Sequence, residues 1–493
     1  MSSNAWISIL LIVAFFVVNA VIIKLLSKKQ DSLEEYGVGN RSFGWLLNAF
    51  AYIGGWYTGT TYTGWFSNAS TIGVFAQYVI VYSITSLFIM FFMARPVWVL
   101  GKVYGLETQG DLIELRYGSR PFKFVFAFLT FLFWSPWLIL EIKSIGYVVQ
   151  AATYQSIGFN VGLIVVSVFV IAYCFLGGSR ASAVGGLVQG ITFTVVGVIA
   201  VYWLIVKTYG GLGDMYEMVE NFNSDLLTLG ALGGKYWFSV VITCTLGGYI
   251  LPGVFATIYR ADSSRAVKKS VLIAPLAGIL IGFTVLALGL GLTSFADFPE
   301  DPQGAAFWIS GKFGGPIMVG LMGILALAAC MSTISAVLNT AAVLISKDLC
   351  GTVASKMSRE KLFKAARILT ILVGIIAIII ATREIPNLMF ISIVMYDCSV
   401  QAFPAVFIGL FWRRINIQGV SVGFIVGCII SIVGNFFPAT IAWAGGWSGG
   451  ILGLFANLII VLVCGIAFKP YHRVDELFHT VRTYKEVYSK RVI

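Results

Sequence analysis

The stretch GGWYTGTTYTGW, Gly54–Trp65, lies inside an apolar segment long enough to cross a membrane. It holds four glycines, four threonines and no aliphatic residue. A bilayer-spanning helix is normally aliphatic at mid-depth, because no water is present there to solvate polar groups. Glycines and hydroxyls at that depth predict an interrupted helix. A second stretch, TCTLGGYILPGV (Thr243–Val254), repeats the pattern: Gly-Gly, an aromatic residue, then Pro or Gly a few residues on.

The rest of the chain has the composition of a polytopic membrane protein. Of 493 residues, 58% are hydrophobic and 11% charged, whereas soluble domains carry about 25% charged residues. Apolar runs suited to a bilayer core of about 30 Å fall at 5–26, 43–74, 76–98, 121–151, 158–176, 183–207, 236–259, 270–294, 315–346, 365–382, 386–411, 417–437 and 449–468. The first run lacks a basic leader and a cleavage site and reads as a retained span. The expected organisation is a single transmembrane domain over 1–468 with a basic tail over 469–493.

The net charge of +11 does not imply a nucleic-acid partner, because its distribution follows topology. Of 33 Lys and Arg, Lys207, Lys235, Lys312 and Arg383 fall on one side and Lys143 inside a span. All the others lie on the alternate loops and the tail. By the positive-inside rule the N-terminus is outside and the C-terminus cytoplasmic. The basic tail reads as a surface helix near anionic lipid, with partner docking as the alternative. The seven cysteines are scattered without metal or disulfide spacing, and both histidines, His472 and His479, lie in the tail. Imidazole chemistry within the membrane is thereby excluded, and no nucleophile motif suggests an enzyme.

The two interrupted spans lie five spans apart. An odd offset gives them opposite orientations across the membrane, the pattern of an inverted-repeat transporter. Unwound backbone at mid-membrane exposes carbonyls and amides that can replace the water shell of an ion. Close helix packing through the glycines is the alternative. The ninth span contains LALAACMSTISAVLNTAAVLISKDL (Leu325–Leu349), in which Ala329, Ser332 and Thr333 share one helical face. A hydroxyl in such a helix ordinarily bonds back to the preceding turn. A carbonyl and two hydroxyls converging suit a hard, monovalent cation, since no carboxylate is near.

Ala328–Leu338, AACMSTISAVL, resembles the Ala-x-x-Met-Ser-Thr signature of the sodium/solute symporter family, which includes the proline, pantothenate, sialic acid and sodium/glucose symporters. Gly39–Gly55, Thr108–Arg120, Tyr173–Gln189 and Leu410–Gly427 resemble further stretches of that family, in the same order. The resemblance implies an all-α, LeuT-type five-plus-five inverted repeat. Repeat one would span about 43–207 and repeat two about 236–411, within some thirteen helices. It also implies a sodium site formed by the carbonyls of Gly54, Tyr57 and Ala329 and the hydroxyls of Ser332 and Thr333. Departures from the pattern are Gly185 and Gly186 in place of a Thr-Asp pair, Pro252-Gly253 in place of Pro-His, and Trp56 at a position that is Asp in proline-type members. A second coupled sodium and a proline specificity are therefore not expected.

Three ionisable residues lie well inside spans: Glu141, Lys143 and Asp397. Such groups mark a cavity, a partner or a pathway. Glu141 and Asp397 are candidates to bind a substrate amine or carry a coupling proton; an ion pair between Lys143 and Asp397 is the structural alternative. Trp56, Tyr57, Trp137 and Tyr249 are aromatic candidates for stacking on a solute. Thr58 and Gln401 complete the substrate-binding set. Asn68-Ala-Ser is a sequon on the outer side.

The expectation is a secondary transporter of the plasma (inner) membrane, no enzyme, coupling sodium to a small polar solute by alternating access. Its expected partners are substrate, sodium and the bilayer, with an amino acid or other amine the favoured solute. A proton-coupled carrier using Glu141 or Asp397 is one alternative. A membrane sensor is another, although 469–493 is too short for a kinase.

Overall fold

The computed structural model describes residues 2–26, 30–230, 232–384 and 388–486. The start of the expected span at 386 and the last tail residues, 487–493, lie outside them. Among the described residues every regular element is helical.

The chain enters through α1 (Ser3–Leu26) and a short α2 (Leu33–Val38). The halves of the first interrupted span are α3 (Trp45–Trp56) and α4 (Gly64–Ile72), and α5 (Tyr78–Tyr104) follows. A short α6 (Gln109–Tyr117) leads into α7 (Arg120–Ala152). After α8 (Phe159–Ile191), α9 (Gly197–Tyr209) and α10 (Leu212–Asn223) come the halves of the second interrupted span, α11 (Gly234–Gly248) and α12 (Pro252–Arg260). Then α13 (Ser264–Leu290) precedes the 40-residue α14 (Ala305–Leu344), which runs through a π-helical stretch into α15 (Gly351–Val353). The remainder comprises α16 (Arg359–Ala381), α17 (Leu388–Ser399), α18 (Gly409–Phe411), α19 (Ile417–Phe436), α20 (Gly449–Ala467) and the tail helix α21 (Val474–Thr483).

Among the described residues eleven helical runs are long and apolar enough to cross a membrane. Gly59–Tyr104 and Phe159–Tyr209 are 46 and 51 residues long. At about 1.5 Å per residue the longer would extend roughly two and a half times the bilayer core. Each contains a turn at a left-handed glycine, Gly73 (φ 61°) or Gly178 (φ 50°). The expected boundaries at 74–76 and 176–183 fall at these turns. The turn at Gly178 also packs on the ring of Tyr36, whose hydroxyl meets Thr370 Oγ1 at 2.7 Å.

Helix ends follow local capping chemistry. Thr108 and Asp111 form a reciprocal capping box at the start of α6, and Ser119, Ser263, Ser358, Asn416 and Ser448 cap α7, α13, α16, α19 and α20. These satisfy N–H groups that have no partner within the helix.

The most buried spanning segments are Gly234–Arg260 and Pro302–Val353, each 78% buried, against 22% for α1 and α16. The second interrupted span and α14 therefore form the centre. The outer helices present Leu10, Val17, Leu372 and Ile376 outward, as expected of helices facing hydrocarbon.

Sequence explains why α3 stops where it does. Tyr57 and Thr58 adopt extended backbone (ψ 99° and 172°), and a single turn, Gly59–Thr61, precedes α4. Gly59 is required by close approach: a Cβ there would overlap Cys330 Sγ on α14. Gly59→Ala should accordingly destabilise the protein by about 1–3 kcal/mol, the usual range for overpacking. Cys330→Ala, which removes the obstructing sulfur, should restore most of the lost thermal stability of the detergent-solubilised protein. A fully stable Gly59→Ala single variant would disprove this contact.

Candidate functional site

The signature helix meets the first break at one carbonyl. Ser332 Oγ donates to Gly54 O at 2.8 Å and Thr333 Oγ1 donates to the same oxygen at 3.0 Å. Both hydroxyls also reach Ala329 O, at 2.9 and 3.1 Å. Gly54 permits this approach, since a Cβ there would lie 3.2 Å from Ser332 Cβ. Four oxygens from α3 and α14 thus converge in one buried place. The set is carbonyl and hydroxyl only, with the chemistry of a monovalent hard cation. A hydroxyl can turn its proton away from Gly54 O and offer a lone pair to an ion instead.

Tyr57 is positioned differently from its expected partners. Its backbone caps α3, with Tyr57 N donating to Ile53 O at 2.9 Å. Its phenol sits on Gly278 of α13, where any Cβ would overlap it. No hydrogen bond joins Tyr57 to Ser332 or Thr333 among the described residues.

Two small cavities flank the break. One, of about 20 Å³, borders the oxygen cluster: Gly54, Ser332 and Thr333 share its wall with Trp134, Trp137 and Arg260. The other, of about 60 Å³, is lined by Trp56, Thr58, Trp137 and Tyr396, among others. Trp137 belongs to both walls and separates them. Trp56, Thr58 and Trp137, all candidates from the sequence, thus line one cavity. Trp56 is fixed by its indole N–H, which donates to Ser83 Oγ at 2.7 Å.

The remaining sequence candidates lie elsewhere. Glu141 is on neither cavity wall. It is fully buried beside the break, accepting the Gly59 N–H at 2.7 Å and the Thr60 N–H at 3.5 Å. It holds the amide end of the single turn Gly59–Thr61 and is a positioning residue for the break. Asp397 accepts the Gly450 N–H at 3.1 Å and the Asn435 amide at 2.9 Å, and so holds the start of α20. Gln401 belongs to the same knot, donating to Asp397 O, Ser431 Oγ and Gly450 O at 3.0–3.1 Å. Tyr249 is fully buried in the second break, against Phe407 and on neither cavity wall. Lys143 does not pair with Asp397; its ammonium donates to Arg383 O at 2.7 Å. The sequon lies within α4, and Ser70 is fully buried.

Arg260 escaped the sequence reading, which counted it among loop charges. It is 3% exposed and ends α12 beside the cavity of about 20 Å³. It donates to Gly37 O at 3.3 Å, Asn339 Oδ1 at 3.2 Å and Thr340 Oγ1 at 3.0 Å. No carboxylate pairs with it among the described residues. Only its place at the end of a broken helix half could have marked it in the sequence.

Glu141→Ala should leave the Gly59 N–H buried without a partner, at a cost of about 1–3 kcal/mol. Faster amide hydrogen exchange across 57–63 would show the break loosening. Glu141→Gln, which keeps a carbonyl acceptor, should show a smaller effect.

The sequence pattern of the sodium:solute symporter family matches residues 36–427. The uncharacterized symporter YhjB of Bacillus subtilis (strain 168) is 25% identical over 89% of this chain and 92% of its own length. A monocarboxylate transport permease protein of Rhizobium johnstonii is 25% identical over 87% of this chain and 90% of its own. Among solved structures, the substrate-bound outward-open state of a Na+-coupled sialic acid symporter superposes with a TM-score of 0.79. It shares 16% identity and covers 94% of this chain and 98% of that one.

Proposed function

The chain belongs to the sodium:solute symporter family, and from that premise we propose that it carries a small carboxylate-bearing solute into the cell with sodium. It is a multi-pass plasma-membrane transporter and not an enzyme. In our reading the N-terminus is outside and the C-terminus cytoplasmic. The inverted repeats fall at about 43–207 and 236–411, with the basic tail at 469–493.

The observation that carries the solute assignment is the charge of the cavity walls. Neither cavity beside the break has an acidic side chain in its wall, and the smaller one contains Arg260. Glu141, the sequence candidate for an amine partner, is engaged with the backbone of the break. An ammonium solute would find no counter-charge there. A carboxylate would find hydroxyls, the co-bound sodium and a guanidinium on the inward side. The acid-carrying relatives, a monocarboxylate permease and a sialic acid symporter, agree with this reading.

Mechanistically, sodium binds among Gly54 O, Ala329 O, Ser332 Oγ and Thr333 Oγ1, with the Tyr57 carbonyl as the fifth proposed ligand. Its arrival frees Gly54 O from two donated hydrogen bonds and ties α3 to α14 through the ion. The solute then binds by Trp56, Thr58 and Trp137. Since both ligands favour the same arrangement of the break, their affinities rise together and reciprocally.

Purified protein in liposomes should take up a short monocarboxylate along an imposed sodium gradient. Ser332→Ala with Thr333→Ala should reduce sodium-driven uptake by about tenfold or more. Competition by simple amines but not by carboxylates would overturn the solute assignment. Uptake that persists without sodium on a pH gradient would show proton coupling instead.

A further inference from the structure

Far from the break, α5, α18 and α21 enclose a cavity of about 450 Å³. Its composition is divided. Phe91, Phe92 and Phe411 form an apolar flank, and Phe92 and Phe411 are about half exposed, at 51% and 49%. That flank continues the outward apolar surface of α5, which includes Phe88 at 58% exposure.

The other flank is cationic. Arg95, Arg116, Lys268, Arg413 and Arg482 line it, and no acidic side chain does. Two of the five have acid partners just outside the wall: Glu486 lies 3.6 Å from Arg95 and Asp475 lies 3.0 Å from Arg413. Lys268 and Arg482 have no ion pair among the described residues, and the Lys268 ammonium rests 5.0 Å from the centre of the Phe91 ring. Arg116 is 3% exposed. Its Nε and Nη2 donate to Gly409 O at 2.6 Å and Ile415 O at 3.2 Å, and its Nη1 has no hydrogen-bond partner. The cavity thus offers net positive charge and a buried, incompletely satisfied guanidinium beside an apolar wall open to the hydrocarbon.

We propose that this cavity is a binding site for an anionic phospholipid. The headgroup phosphate sits among Arg116, Lys268 and Arg482, and one acyl chain leaves along Phe92 and Phe411. A phosphate collects charge-assisted hydrogen bonds from such a set, and basic pockets between helices on the cytoplasmic side favour anionic headgroups. The apolar flank selects lipid over free phosphate, since a small ion leaves that surface uncovered. The tail helix completes the cavity through Phe478 and Arg482. The lipid therefore joins α21 to the transport domain, and this assignment does not depend on the identity of the solute.

The full chain, purified in detergent, should retain phosphatidylglycerol in preference to phosphatidylcholine in native mass spectra, and phosphatidylglycerol should raise its melting temperature. Lys268→Ala with Arg482→Ala should weaken phosphatidylglycerol retention by about tenfold or more, as loss of two surface cations implies. Lys268→Arg with Arg482→Lys should retain it. The control pair Lys356→Ala with Lys361→Ala removes the same charge elsewhere and should have no effect. Equal retention of both lipids, or no loss in the double alanine variant, would overturn the site. Equal stabilisation by inorganic phosphate at matched concentration would show a free-anion site instead. If the double alanine variant does not fold, Arg482→Ala alone, at an exposed position, gives the same comparison.

Discussion

A membrane protein that opens a helix at mid-depth must satisfy the backbone groups it frees, because lipid supplies no hydrogen bonds. Here the two ends of the first break are satisfied by different chemistry. On one end the Gly54 carbonyl accepts from Ser332 and Thr333. On the other the Gly59 N–H donates to the Glu141 carboxylate. The first arrangement is exchangeable, since a cation can replace two hydroxyl protons at the same oxygen. The second is not, because a cation cannot replace a carboxylate as the acceptor of an N–H. The break is thus pinned at its Gly59 end by α7 and adjustable at its Gly54 end by α14.

The same break is tied to its counterpart. A Cβ on Gly248 would lie 2.9 Å from Trp56 Cη2 and 3.0 Å from Ser86 Oγ, so the indole at the first break packs on the bare backbone of the second. At the far end of both spans, Phe43 N donates to Arg260 O and Asp262 N donates to Phe43 O, each at 3.0 Å. This short bridge joins the residues preceding α3 to those following α12. The two broken spans are therefore held to each other at mid-depth and at one end. Gly253 has a steric reason as well: a Cβ there would be 2.7 Å from the Trp134 ring.

The elements legible in the sequence were those set by local composition. The breaks at Gly54–Trp65 and Thr243–Val254 announced themselves by losing aliphatic residues, and the converging Ala329, Ser332 and Thr333 by helical spacing. The placements of Glu141, Asp397 and Gln401 were not legible. An intramembrane carboxylate states only that something nearby is polar, and in both cases the partner is a backbone N–H, of the turn at Gly59 for Glu141 and of the start of α20 for Asp397, invisible to side-chain pattern. Arg260 was hidden for the converse reason. Its charge matched the topology of a loop, while it is the buried last residue of α12. Long runs also obscured span limits, because Gly73 and Gly178 turn the chain without interrupting its hydropathy.

At the other end of α14 a buried charge network constrains the same helix. Lys123 lies 2.8 Å from Asp111, 3.0 Å from Glu114 and 3.4 Å from Asp348, and Lys347 lies 2.9 Å from Glu107 and 2.8 Å from Asp111. Burial alone would raise the Asp111 carboxyl, but the ammonium groups of Lys347 and Lys123 outweigh it and hold it below the usual carboxylate range. The folded group therefore stays ionised as pH falls through the ordinary carboxylate range, while its contribution to stability, full above that range, is lost progressively from there down to its lowered folded value. Ion pairs of this depth add little net stability, because desolvation offsets their attraction. They do impose geometry: removing one partner strands the others. Lys347 and Asp348 belong to the π-helical continuation of α14, and Ser332 and Thr333 lie on α14 itself. One helix is thus clamped at one end by charges that resist rearrangement and touches the break with hydroxyls that permit it. The π-helical turn carries the network's Lys347 and Asp348, and α-helix connects it to the oxygen cluster.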